Sequence, residues 1–122
     1  MARILIIDDE APIRKLLREA LSRVGHEVLD APEGRSGMTL LQEQTVDVVI
    51  TDLLMPEQEG IETILALRKA FPQIKVIAIS GGGKRGFDFL SAAAHFGAHR
   101  TVEKPFEIQE IVEAIQLVLK ND

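Results

Sequence analysis

Three features of the chain predict a doubly wound α/β domain, in which helices cover both faces of a parallel sheet. Short runs rich in β-branched residues alternate with stretches whose apolar residues return at helical spacing, and this happens five times. The first, third and fourth of these runs are apolar without interruption, which suits strands buried on both faces rather than on one. Finally, 122 residues are enough to close one core and too few for two ordinary domains, so residues 1–122 are read as one domain.

Each element has its own signal. RILIID, Arg3 to Asp8, is the first predicted strand. Ile13, Leu16, Leu17, Ala20, Leu21 and Val24 then mark a helix. Pro12 suits its first turn, where a missing N–H breaks no bond, and Gly25 supplies its stop. HEVLDA is a short second strand. Met38, Leu40 and Leu41 mark a weaker helix between Glu33 and Gln44, which Gly34 and Gly37 dilute. Val46 to Asp52 is the third strand. Ile61, Ile64, Leu65 and Leu67 define a helix that ends near Phe71, because Pro72 disfavours a helical residue before it. IKVIAIS is the fourth strand and Lys84 to Phe96 the fourth helix. AHRTVE is a fifth, more polar strand, and Ile108, Ile111, Val112, Ile115 and Leu119 line one face of the last helix. No repeat, low-complexity segment or linker divides the chain.

Composition narrows the function. With 46% hydrophobic and 27% charged residues the chain is expected to fold, and its net charge of −5 opposes non-specific attraction to nucleic acid. No cluster of Lys or Arg makes a local exception, so DNA is not expected as a direct partner. The absence of Cys excludes disulfides and thiolate metal sites. The apolar run at the N-terminus is too short for a signal peptide, so a cytoplasmic location without a membrane partner is expected.

The polar residues at the strand ends carry the chemistry. In open parallel sheets ligands bind beyond the carboxyl ends of the strands. Asp8 and Asp9 end the first predicted strand, Asp52 the third and Ser80 the fourth, and Lys104 follows the fifth. An Asp at one strand end often only caps the next turn, and Asp8 also suits an N-cap role. Several such ends converging on one rim point further. Carboxylates gathered together raise one another's pKa unless a cation offsets them, which implies a hard divalent ion such as Mg²⁺. No His joins the set, which argues against zinc. Lys104 offers a fixed positive charge and Ser80 a hydroxyl donor, so the constellation suits a phosphoryl group carried on Asp52. SGGGKRG is not a P-loop: the first Gly of that spacing is missing and Arg85 stands where Ser or Thr is needed.

IIDDE, TDLLMPEQEG, AISGGG and EKPF resemble, in order and spacing over essentially the whole chain, the receiver domain of two-component response regulators. The resemblance implies a flavodoxin-like (βα)5 fold with strand order 2-1-3-4-5. It implies that Asp52 is the phosphoacceptor, that Asp8 and Asp9 are the acidic pair for Mg²⁺, and that the Leu54 backbone carbonyl is a further ligand. Ser80 takes the place of the family's Thr/Ser switch residue, Lys104 matches its lysine, and Pro105 matches a proline usually preceded by a cis peptide.

By the same resemblance the donor is a sensor histidine kinase or a phosphotransfer protein, and the recipient of the signal is an output protein or an output domain absent from this chain. The expected signalling surface is the face of the fourth helix, fifth strand and fifth helix, which is also a candidate homodimer surface. Such a protein is not an enzyme in the ordinary sense; at most it catalyses its own phosphorylation and dephosphorylation. Two residues depart from the pattern. Thr101 stands where the family usually has an aromatic switch, and Leu54 puts an apolar side chain two residues after the phosphoacceptor, which implies slow hydrolysis of the acyl phosphate. Leu54 also weighs against a Mg²⁺-dependent phosphohydrolase, which commonly has a second acid at that place. A phosphorylation-independent binding module would have no need of Asp8, Asp9, Asp52 and Lys104 together.

Overall fold

The computed structural model describes residues 2–53, 59–81, 94–95 and 97–120. In chain order the elements are β1 (Arg3–Ile7), α1 (Ala11–Arg23), β2 (Glu27–Ala31), α2 (Gly34–Glu43), β3 (Val48–Asp52), α3 (Glu59–Ala70), β4 (Lys75–Gly81), β5 (Arg100–Lys104) and α4 (Ile108–Lys120). The helix expected from Lys84 to Phe96 lies outside the described residues except for its last part, so α4 is the helix that was fifth in the sequence reading. The strands form one sheet in the order β2-β1-β3-β4-β5, with every neighbouring pair parallel. This is the doubly wound arrangement that the sequence predicts.

Two cores follow from strand alternation. Side chains along a strand point to opposite faces in turn. Ile4 and Ile6 of β1, Val48 and Ile50 of β3, and Ile77 and Ile79 of β4 therefore pack with Leu17 and Leu21 of α1 and with Ile111, Ile115 and Val118 of α4. The intervening Leu5, Ile7, Val49, Val76 and Ala78 pack with Leu41 of α2 and with Ile64 and Leu67 of α3. Each fully buried Ile or Leu contributes about 1.5–3 kcal/mol relative to exposure, so the uninterrupted apolar runs are what hold both layers to the sheet. The edge strand β5 is covered less: Val102 is buried while Arg100, Thr101 and Glu103 are exposed. Polar side chains on an edge discourage pairing with another chain.

The helices stop and start where their residues require it. Gly25 takes a positive φ of 102°, its N–H donating to Ser22 O, while the His26 N–H donates to Leu21 O, closing the C-terminus of α1. Only one side of α1 is covered, so Leu16 and Val24 are exposed at 47% and 50% although they share the helical spacing of Leu17 and Leu21. In α2 the glycines serve packing. A Cβ on Gly37 would lie 2.6 Å from Ile7 Cδ1, so only a residue without a side chain lets α2 approach β1 this closely.

Candidate functional site

The alternation that builds the core also builds the site. On the face that carries Ile6, Ile50 and Val102, the next side chains along β1, β3 and β5 are Asp8, Asp52 and Lys104. Three distant segments thus deliver polar groups to one end of one face, at the switch point where β1 separates strands wound in opposite directions. Asp8 and Asp52 are 2% and 3% exposed, so these carboxylates have left bulk water. Between them and β5 runs β4, where Gly81 stands in register with Lys104.

Lys104 draws the acids together. Its Nζ donates to Asp52 Oδ2 at 3.0 Å and to Glu10 Oε1 at 3.3 Å, and lies 3.6 Å from Asp8 Oδ2. Burial works against the charged ammonium, but the hydrogen bond and charge of Asp52, with the charge of Asp8 and the hydrogen bond to Glu10, outweigh it and hold the lysine pKa above its ordinary value. Asp8 moves from its usual 3.8 up to about 6. Burial is the chief cause, the charge of Asp52 adds to it, and the Glu10 N–H and Lys104 oppose it.

Glu10 enters through a turn that periodicity does not reveal. Beyond Ile7 the strand ends, and Asp8 Oδ1 accepts the Glu10 N–H at 2.8 Å, an Asx-type turn that folds Glu10 back over the rim. Among the described residues Asp8, Glu10 and Asp52 can each offer an oxygen within 4.8 Å of the others. The sequence reading did not single out Glu10; its place directly after two acids was the available signal. Asp9 is exposed on the same turn and is not one of these three.

The other predicted residues are placed as follows. Ser80 is buried near the end of β4, in register with Glu103, and alternation groups it with Val76 and Ala78 rather than with the face of Asp52. The Lys104–Pro105 peptide is cis. Thr101 is exposed on β5. The Leu54 carbonyl lies outside the described residues.

The charges decide what the cluster can hold. One ammonium faces three carboxyl groups, and the donors are oxygen alone, a set that suits a hard cation such as Mg²⁺ rather than a soft one. The pKa of Asp8 is raised chiefly by burial, and the neighbouring charges of Asp52 and Glu10 add to it. A metal ion here would offset those charges. The same rim holds a buried carboxylate and a fixed cation side by side, groups that phosphoryl transfer to a carboxylate could use.

The family model of the response regulator receiver domain matches residues 4–116. The chain is 34% identical over 119 residues to the chemotaxis protein CheY of Thermotoga maritima, covering 97% of this chain and 98% of that protein. It is 31% identical to the DNA-binding transcriptional regulator NtrC of Azospirillum brasilense over 99% of this chain but only 25% of that one. The chain therefore spans nearly all of one relative and a quarter of another. The crystal structure of a response regulator receiver domain protein from Clostridium thermocellum superposes with a TM-score of 0.89 at 33% identity, covering 98% of this chain and 95% of that one.

Proposed function

Because the chain belongs to the response regulator receiver domain family, we propose that it is a signalling phosphoacceptor in which Asp52 receives a phosphoryl group from the phosphohistidine of a sensor histidine kinase or phosphotransfer protein. The observation that carries this reading is the buried Asp52 carboxylate held 3.0 Å from the Lys104 ammonium, beside Asp8, at the carboxyl end of the sheet. An Asp52 oxygen attacks phosphorus, the new O–P bond forms as the P–N bond to the donor imidazole breaks, and the imidazole nitrogen keeps the electron pair and is then protonated by solvent. The donor supplies the energised bond. The receiver supplies nucleophile and positioning, so it acts as a stoichiometric carrier rather than a turnover enzyme.

Asp8, Asp9, Asp52 and the Leu54 carbonyl are the Mg²⁺ ligands carried over from the family, and Glu10 joins them by its position. When bound, Mg²⁺ supplies charge neutralisation for the acidic rim and for the incoming phosphoryl oxygens. Lys104 then exchanges a carboxylate for a phosphoryl oxygen, and Ser80, the family's switch position, reaches the same group only once the end of β4 turns its hydroxyl away from the Val76 and Ala78 face. Because Lys104 ends β5 and Ser80 sits near the end of β4, these shifts bias the face of β5, α4 and the 84–96 segment between two states. That face is the proposed contact for an output protein, a linked output domain or a second copy, with Thr101 requiring a route other than an aromatic rotamer change. No helix among the described residues is long and apolar enough to cross a membrane, and a cytoplasmic site of action fits the donor class.

Incubation with Mg²⁺ and acetyl phosphate, followed by intact mass, tests the reading. Wild type is expected to gain one phosphoryl group that is acid-stable, base-labile and lost without Mg²⁺. Asp52→Asn is expected to gain none. A phosphoryl group retained in Asp52→Asn overturns the assignment.

A further inference from the structure

The turn that presents the acids is held from outside the site. Arg14, one turn into α1, directs its guanidinium back toward the strand end, as helical side chains lean toward the N-terminus. Its Nη1 donates to the backbone carbonyl of Asp8 at 2.8 Å, and its Nε donates to Asp30 Oδ2 on β2 at 3.2 Å. Asp30 receives Arg18 on its other oxygen at 2.9 Å. The Asp8 N–H donates in turn to Ala31 O, the residue after Asp30. Both backbone groups of Asp8 are thereby fixed, one by β2 and the other by α1 through a side chain that β2 anchors.

We propose that Arg14 is a positioning residue for the acidic rim: anchored by Asp30, it holds the Asp8 carbonyl and so fixes the turn from which Asp8 and Glu10 present their carboxylates. This inference rests on the proposed role of that rim in binding Mg²⁺. A simple surface ion pair would contribute little. Arg14 differs because one planar fork spans two elements and ends on the main chain of a site residue, and its side chain is only 20% exposed. Lysine, a point charge on a flexible stem, cannot hold both acceptors in that fixed geometry. Asp30 has a second role. It occupies the Arg14 charge, which would otherwise be drawn toward the three carboxyl groups and compete with a metal ion there.

Calorimetric titration of the unphosphorylated full chain with Mg²⁺ tests the proposal without any phosphodonor. Groups that orient metal ligands typically change affinity by about 10- to 100-fold when removed; Arg14→Met and Asp30→Asn are each expected to weaken binding by about tenfold. The double variant should be no weaker than the weaker single, since both remove one device. Arg14→Lys should fail to restore affinity. Arg18→Met, which touches only the far oxygen of Asp30, should stay within about twofold of wild type. With acetyl phosphate, the Arg14 and Asp30 variants should need more Mg²⁺ yet reach the wild-type rate at saturation, a split that general loosening would not produce. Far-UV circular dichroism checks folding, and if Arg14→Met unfolds, Asp30→Asn and Arg14→Lys decide. Wild-type affinity in Arg14→Met or Asp30→Asn, rescue by lysine, or additive losses overturn the positioning role. No Mg²⁺ uptake by wild type overturns instead the metal reading on which it rests.

Discussion

Lys104 Nζ, at the end of β5, reaches past β4 to stand 3.0 Å from Asp52 Oδ2 at the end of β3. The pair is the central contact of the rim. Asp52 is 3% exposed, and a carboxylate so placed needs its cation nearby. Removing one partner of a buried pair leaves an uncompensated charge, a loss of roughly 3–5 kcal/mol in well-buried cases. Lys104 is partly exposed, so Lys104→Met is expected at the lower end, about 3 kcal/mol at pH 8 without Mg²⁺. Urea unfolding measures it. Adding Asp8→Asn should return part of the loss, because one of the stranded charges is then gone; a variant as stable as wild type would show that the pair holds nothing.

Asp8 gives the rim a pH dependence of defined sign. Its pKa is about 6 in the folded protein against 3.8 for the ordinary side chain, so the fold holds the proton more tightly than the unfolded chain does. Its contribution is therefore most favourable below pH 3.8 and is lost as pH rises through about 6. In EDTA, Asp8→Asn is expected to exceed wild type in stability at pH 8 by on the order of 3 kcal/mol, at about 1.4 kcal/mol per pKa unit. The gap should close toward pH 4. Parallel stability curves for the two proteins would remove the basis for a strained acidic rim.

How much of this was legible in the sequence depends on the residue. Val48, Val49 and Ile50 announced a strand covered on both sides, while the strand order that brings Asp52 beside Asp8 came from the family resemblance. Asp8, Asp52 and Lys104 were visible because each ends or directly follows a predicted strand, where open parallel sheets bind ligands. Glu10 was not, since its approach depends on an Asx turn that leaves no periodic trace. His99 was read as part of the fifth strand, yet β5 begins at Arg100 because the His99 ring, not only its backbone, bonds to Val76. Arg14 looked like an ordinary polar position on an amphipathic helix; only the pairing of β1 with β2 shows what it reaches.

His26 and His99 should act on stability in the opposite direction to Asp8. Each uses Nδ1 to accept a backbone N–H, from Ala2 at 3.1 Å and from Val76 at 3.0 Å. A protonated Nδ1 cannot accept. Both pKa values are lowered from 6.5, chiefly by burial, with Arg68 and Lys75 adding to the effect at His99. Their contribution is thus present above pH 6.5 and is lost as pH falls below it. Measured in an Asp8→Asn background to remove the opposing titration, stability should decline below pH 6.5. The loss should be about 1 kcal/mol for His26 and less for the more exposed His99. His26→Gln should flatten the decline in part, and an unchanged profile in that variant would exclude the ring as its source.

Gly37 offers a test of the packing that supports β1. A methyl group there would sit 2.6 Å from Ile7 Cδ1 and 3.0 Å from Cγ1, and Ile7 is fully buried with little room to yield. Alanine is worth up to about 1 kcal/mol over glycine inside a helix, whereas overpacking a filled core costs about 1–3 kcal/mol. The steric effect should win, so Gly37→Ala is expected to destabilise by about 1 kcal/mol despite its better helix propensity. Ile7→Val deletes Cδ1 and should relieve the clash, making the double variant more stable than the two single losses summed. Because Ile7 directly precedes Asp8, displacement of β1 by Gly37→Ala should also weaken Mg²⁺ binding, and Ile7→Val should recover it. Calorimetry on the same three variants separates a strand pushed out of place from a helix that has merely loosened.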